Sequence, residues 1–300
     1  MIYTLTLNPS IDYVLHLDKF INGVTNRTTS EEYYIGGKGI NVSYILAQLD
    51  VKSTALGFTA GFTGEEIENG LRKLGICSDF IRLKNGISRI NIKLKAEQES
   101  EINCQGPPVS EEEFEQLLMK TDKISDGDTI VLSGSIPKNI SDDAYEKILQ
   151  RLKYKKVRIV VDAEKSLLIN CLPYHPFLIK PNRQELSELF QRNITSKQET
   201  EHCARKLINQ GARNVIVSLG EDGAILFTEG GKTFHSGVVK EKVINTVGAG
   251  DSMVAGFIAG YDQHKDYGYA LKLGTACGNA TAFSNGMAVK EKILDILSRL

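Results

Sequence analysis

No apolar run in this 300-residue chain approaches the ~20 residues that a membrane-spanning helix requires. Cysteine is sparse: Cys77, Cys104, Cys171, Cys203 and Cys277 stand far apart with no Cys-x-x-Cys pair. That spacing argues against disulfide or metal chemistry and fits reduced thiols packed in a cytosolic protein. The five histidines (His16, His175, His202, His235 and His264) are equally scattered, so a transition-metal site is not expected. Charge of one sign is missing too. Lys and Arg number 36 against 37 Asp and Glu, a formal net charge of -1. No global basic field exists to attract nucleic acid, although a local positive site for a small anion remains open. Met1–Leu7 lacks the basic flank and apolar stretch of a signal peptide and reads as a strand, and a cytoplasmic location is expected. There are no repeats, low-complexity segments or long linkers. With 41% hydrophobic residues, a large core is within reach.

Short apolar runs alternate with helical patterns. Strands are expected at Ile2–Leu7, Thr54–Phe58, Thr129–Ser133, Arg158–Asp162, Phe177–Lys180 and Asn214–Ser218. Helices are expected at Gly39–Gln48, Thr63–Leu74, Ser110–Lys120, Asp142–Leu152 and Lys197–Gln210, then at Ser252–Tyr261, Tyr267–Ser284 and Lys290–Leu300. This rhythm predicts an α/β fold with a mostly parallel sheet covered by helices on both faces. Two stretches, about 12–35 and 80–103, are strand-like without intervening helices. Ile90 to Lys95 alternates apolar and polar, as a half-exposed strand does. These segments predict a small second sheet projecting over the main one, its one-sided apolar face in need of a cover.

Asn245-Thr246-Val247-Gly248-Ala249-Gly250-Asp251-Ser252 is the most telling segment. A Gly-rich turn at a helix N-terminus exposes unpaired N–H groups at the positive end of the helix dipole, an anion site. A carboxylate there repels the anion unless it serves as a base beside a phosphate being transferred. The alternative is a tight turn with Asp251 capping the helix. Gly36-Gly37-Lys38-Gly39-Ile40-Asn41 joins a strand-like segment to a helix, offering close backbone approach and a point charge. It lacks the spacing of a Walker P-loop. Asp12 follows the first strand, where it suits sugar hydroxyls or alternatively an Asx-turn. Lys180-Pro181-Asn182 ends another strand, and Asn182 and Glu185 at i and i+3 share one face of a new helix. Glu185 suits a water of a magnesium shell, or alternatively caps its helix. Ser218–Ala224 links two strands and suits a nucleotide, or alternatively is a plain hairpin turn.

In combination and order, these segments resemble the ribokinase-like sugar kinases, the PfkB family, over essentially the whole chain. The resemblance implies a three-layer α/β/α kinase domain spanning residues 1–300 with a β lid. It implies Asp251 as base for the acceptor hydroxyl, with Gly248, Ala249 and Gly250 donating N–H groups to the transferred phosphate. Asp12, Gly36, Gly37 and Asn41 would hold the sugar. Lys38 and Arg89, with Ser135 and Arg27 nearby, would hold its phosphate. Lys180, Asn182, Glu185, Ser218, Gly220, Glu221, Gly223, Thr246 and Asn279 would line the ATP site, with Glu185 reaching Mg²⁺ through water. The implied reaction phosphorylates fructose 1-phosphate at its 6-hydroxyl, with tagatose 6-phosphate or fructose 6-phosphate as alternative acceptors. A homodimer through the lid is expected. A non-catalytic sugar-phosphate or nucleotide sensor would have lost Asp251 or its glycines, and all are present. A dinucleotide oxidoreductase would carry Gly-x-Gly-x-x-Gly after the first strand, where Asn8-Pro9-Ser10-Ile11-Asp12 stands instead.

Overall fold

The computed structural model describes residues Met1–Leu300. Strands β1 (Ile2–Thr6), β4 (Ser53–Thr59), β9 (Thr129–Ser133), β10 (Arg158–Asp162), β11 (Leu178–Ile179) and β12 (Asn214–Ser218) run parallel in the order β12-β11-β10-β9-β1-β4. Two short strands, β5 (Cys77–Ser78) and β6 (Ile81–Arg82), pair with β4. Beyond β12, β13 (Ala224–Thr228) and β14 (Thr233–Ser236) continue the sheet antiparallel.

The near-continuous apolar strands follow from burial on both faces. Ile130 and Leu132 enter one core while Val131 enters the other, and Val215 and Val217 oppose Ile216 in the same way. One core is closed by α3 (Glu111–Thr121), α4 (Ala144–Leu152), α5 (Lys165–Cys171), α6 (Arg183–Leu189) and α7 (Lys197–Asn209). The other is closed by α1 (Lys38–Gln48), α8 (Ala249–His264), α9 (Tyr267–Ala282) and α10 (Lys290–Arg299). Reciprocal caps start three of these helices: Ser110 with Glu113, Asn182 with Glu185, and Ser196 with Glu199.

Most element bounds differ from the sequence expectation by a few residues, and two of these shifts have identifiable reasons. The strand expected at Phe177–Lys180 shrinks to Leu178–Ile179 because Pro181 has no N–H for the ladder, and pairing resumes only as a single bridge between Asn182 and Ser218. The helix expected from Ser252 begins at Ala249, because Gly248 takes φ +80° and turns the chain into the helix there. Asp251 is therefore the third helical residue, and the cap is Gly248.

A separate four-stranded sheet, β3-β2-β7-β8, consists of β2 (Ser10–His16), β3 (Ser30–Gly36), β7 (Arg89–Lys95) and β8 (Ser100–Ile102). Its Ile11, Ile35 and Ile90 pack against Ile67 and Leu71 of α2 (Gly61–Lys73). On the same face Tyr33, Tyr13, Ile92 and Ile102 form one register row across all four strands, and Tyr33 and Ile102 are exposed.

Candidate active site

Strand order reverses between β9 and β1, and the loops beyond the carboxyl ends of strands at such a point open a crevice. Thr6–Ser10, Ser133–Ser135, Asp162 and Lys180–Asn182 all lie at those ends. Here α8 delivers Asp251 and α1 delivers Lys38 and Asn41.

These groups form a compact buried cluster. Asn41 Nδ2 donates to Asp251 Oδ2 at 2.8 Å. Lys180 Nζ lies 3.3 Å from Asp162 Oδ1, with both side chains about 5% exposed or less. Lys38 Nζ is 3.9 Å from Asp162 and 3.9 Å from Glu164, and remains a third exposed. Lys180 lies over the Gly-rich turn, since a Cβ added at Gly250 would meet its Nζ at 3.0 Å. The N–H groups of Gly248 and Gly250 have no acceptor within the chain, whereas that of Ala249 donates to the Thr246 carbonyl at 3.3 Å. At Gly248, a Cβ would strike Met287 Sδ at 2.6 Å, so the left-handed turn also has no room for a side chain.

The two carboxyls titrate in opposite directions. Burial alone raises Asp162, but the ammoniums of Lys180 and Lys38 outweigh it and hold the carboxyl below its usual range. Asp251 accepts from the Asn41 amide and lies against the Asp162 carboxyl. Burial, then repulsion from Asp162, push it up to about 7. Lys38 is raised, chiefly by Asp162. Glu185 is raised by burial against the pull of Lys180. Its Oε2 accepts the Asn182 N–H at 2.7 Å, so the helix-capping alternative is realised; Oε1 makes no hydrogen bond within the chain.

Arg89 is half-buried at the start of β7, its Nε donating to the Asn8 carbonyl at 3.0 Å and its Nη1 to the Cys104 carbonyl at 3.5 Å. Burial lowers its pKa. Asp12 lies beside it on β2, facing Gly36. Gly37 is the N-cap of α1. Ser135 follows Gly134, whose added Cβ would lie 3.6 Å from Lys38 Cβ. A cleft of about 500 Å³ separates the lid from residues 243–247 and 285–287; Asp12, Asn41 and Thr246 line it. The Asn182–Ser218 bridge holds the Gly220–Asp222 turn beside α6, and Arg183 pairs with Asp222 at 3.1 Å. Glu221 and Gly220 are exposed there, and Gly223 closes the turn. Asn279 lies in α9, its buried Nδ2 without a partner. Arg27 is exposed on the loop between β2 and β3, with no ion-pair partner in the chain.

Sequence reasoning passed over Asp162, although it ends an expected strand. It also passed over Asn91, which shares a strand face with Arg89 and is legible from period two alone. Asn285, Gly286 and Met287 carried no local signal, because packing alone brings that loop to the cleft. No cluster of three His, Cys, Asp or Glu residues has metal-ligand spacing. No helix is long and apolar enough to cross a membrane.

The sequence pattern of the pfkB family carbohydrate kinases matches residues 5–292. The chain is 46% identical to 1-phosphofructokinase of Bacillus subtilis, covering 99% of this chain and 97% of that one. It is 39% identical to D-tagatose-1-phosphate kinase of Bacillus licheniformis, covering 100% and 98%. Phosphofructokinase-2 from Escherichia coli, solved in complex with substrates and products, superposes with a TM-score of 0.94 at 28% identity, covering 100% of this chain and 99% of that one.

Proposed function

This chain belongs to the pfkB family of carbohydrate kinases, a phosphotransferase with an alcohol acceptor, and from that premise we propose that it transfers the γ-phosphate of ATP to the 6-hydroxyl of fructose 1-phosphate. The products are fructose 1,6-bisphosphate and ADP. The observation that carries this reading is the buried Asp251 carboxyl, beside unpaired N–H groups of the Gly-rich turn and under the Lys180 ammonium. The 46% identity to the Bacillus subtilis 1-phosphofructokinase supports the choice of acceptor.

Asp251 accepts the proton of the acceptor hydroxyl as that oxygen attacks in line. The N–H groups of Gly248 and Gly250, with Lys180, stabilise charge on the transferring phosphate. Asp12 and Asn41 hold sugar hydroxyls, Arg89 holds the C1 phosphate away from Asp251, and Lys38 reaches toward that phosphate from beside Asp162. Placing phosphate and hydroxyl at opposite ends of one site makes the step intramolecular in effect. The free Oε1 of Glu185 suits a water-mediated contact to Mg²⁺, a hard cation that keeps most of its waters. Bound with the nucleotide, that ion supplies neutralisation of phosphate charge.

Three measurements bear on this assignment. ADP release with ATP·Mg²⁺ should give the highest kcat/KM for fructose 1-phosphate. Tagatose 1-phosphate is the second reading, favoured by the 39% identity to the tagatose kinase; a preference for fructose 6-phosphate or tagatose 6-phosphate would move the phosphate clamp to the C6 end. The pH profile follows from Asp251, which must be deprotonated to act. With its carboxyl pushed up to about 7, kcat/KM should fall as pH drops through neutrality, and a profile flat between pH 6 and 8 would count against Asp251 as base. Lys38→Ala and Arg89→Ala should raise KM for the phosphosugar about tenfold or more, as expected for losing a charge-assisted contact, while leaving that for ATP near its original value. Equal losses for both ligands would contradict the clamp.

The exposed Tyr33 and Ile102, with Phe20, Ile21 and Val24 on the loop beyond β2, leave one lid face apolar. A second lid supplies a self-complementary cover, so the protein is expected to be a dimer. Light scattering at micromolar concentration should report twice the 33.1 kDa chain mass; a monomer overturns this.

A further inference from the structure

Asn91 occupies the third position of β7, in register with Asp12 of β2, and is only 7% exposed. Its Nδ2 donates to Asp12 Oδ1 at 2.8 Å, and Ser10 Oγ donates to the same oxygen at 2.9 Å. One carboxylate oxygen of Asp12 is thereby doubly engaged. The other, Oδ2, accepts nothing within the chain and faces Gly36, where an added Cβ would stand 2.7 Å away. The second end of the amide is also used, because Asn91 Oδ1 accepts the Cys104 N–H at 3.2 Å. Cys104 in turn accepts from Arg89, Arg89 holds the Asn8 carbonyl, and Asn8 Nδ2 donates to the Gln105 carbonyl at 2.9 Å. The chain of contacts runs from Asp12 through Asn91 to the 104–105 segment and Arg89, and returns through Asn8.

We infer that Asn91 is a positioning residue, which turns one oxygen of Asp12 toward the sugar and ties that carboxylate to the segment that holds Arg89. The hydroxyl end and the phosphate end of the phosphosugar site are then set together by one lid side chain. This rests on the reading above that Asp12 and Arg89 contact the phosphosugar. Only a primary amide fits the position: it must donate to a carboxylate with one atom and accept a backbone N–H with the other. A carboxylate there keeps the acceptor but opposes Asp12 with a like charge. Other charged or titratable groups facing this pair are Arg89 and Lys93 on the same face of β7, Tyr34 opposite Asp12 on β3, Glu101 on β8 and the Cys104 thiol.

The test compares Asn91→Asp, Asn91→Ala and Asp12→Ala with the unaltered enzyme, using whichever ketohexose phosphate it turns over best. At pH 8, both Asn91 variants should raise KM for the phosphosugar at least about tenfold while KM for ATP stays unchanged, as the loss of a hydrogen bond to a charged group implies. At pH 6, Asn91→Asp should recover most of the loss relative to the unaltered enzyme, because a proton shared by the two carboxyls restores a donor. Asn91→Ala should not recover. A purely structural role for Asn91 would raise both KM values or give an Asp variant insensitive to pH, and either result overturns the inference. Asn91→Asp keeps the shape and the Cys104 contact, so it remains informative if the alanine variant does not fold. Should Asp12→Ala leave the phosphosugar KM unchanged, the reading of Asp12 itself fails and the inference with it. If Asp12→Ala raises that KM and Asn91→Asp at pH 8 does not, only the role of Asn91 fails.

Discussion

Asp251→Asn is expected to lower kcat by ~10²–10⁴-fold, the usual worth of a positioned general base. That corresponds to about 3–5 kcal/mol of transition-state stabilisation. The substitution preserves shape and an acceptor for the Asn41 amide, so phosphosugar affinity measured by calorimetry should change little. It also removes a carboxyl whose ionisation is opposed by burial and by Asp162. Stability at pH 8 should therefore hold or rise, and the fall in kcat/KM below neutral pH should disappear with the titrating group. A variant with kcat within a few-fold of the original would end the assignment of Asp251 as base. A loss of stability would instead show that the carboxyl is needed to hold the turn.

Lys180→Met carries the second large effect, on folding. Lys180 and Asp162 are both about 5% exposed or less, and removing the ammonium leaves Asp162 with only Lys38 at 3.9 Å. Breaking one side of a buried pair typically costs about 3–5 kcal/mol, because the surviving charge has no water to return to. For a chain of this size, a fall in Tm on the order of 6–10 °C is expected by calorimetry. The double variant Asp162→Asn, Lys180→Met should regain much of the loss, because it removes the stranded charge as well. A single-variant loss under about 1 kcal/mol would mean that water reaches Asp162. Turnover should fall too, since Lys180 lies over the Gly250 backbone where the phosphate is proposed to sit.

How far the sequence could be read depended on the range of the forces involved. Strands at Thr129–Ser133, Arg158–Asp162 and Asn214–Ser218 were legible to the residue, because burial on both faces leaves an uninterrupted apolar run between polar turns. The lid was legible from the alternation of Ile90 to Lys95, and a new helix after Pro181 from the i, i+3 spacing of Asn182 and Glu185. The glycine motifs could be placed at helix N-termini because their conformational demands are local. Asn182 and Glu185 illustrate the limit of such local reasoning, for their spacing suits a cap and a metal-shell contact equally, and only coordinates show that one oxygen of Glu185 is committed to the cap.

By itself, then, the sequence determined the layered α/β architecture, the small second sheet and the Gly-rich turn that carries Asp251, all products of period, propensity and turn chemistry within about ten neighbouring residues. Tertiary structure alone decided which of two buried aspartates ionises more readily. Asp162 and Asp251 are alike in a string of letters, but Lys180 and Lys38 come within ion-pair distance of Asp162 from other elements, while Asp251 meets the neutral Asn41 amide and the repelling Asp162 carboxyl. Likewise, the bond from Asn91 to Asp12 spans 79 residues of chain, and Met287 closes over Gly248 from the far side of α9. Charge interactions and packing act through space, and a pattern read along the chain does not contain those distances.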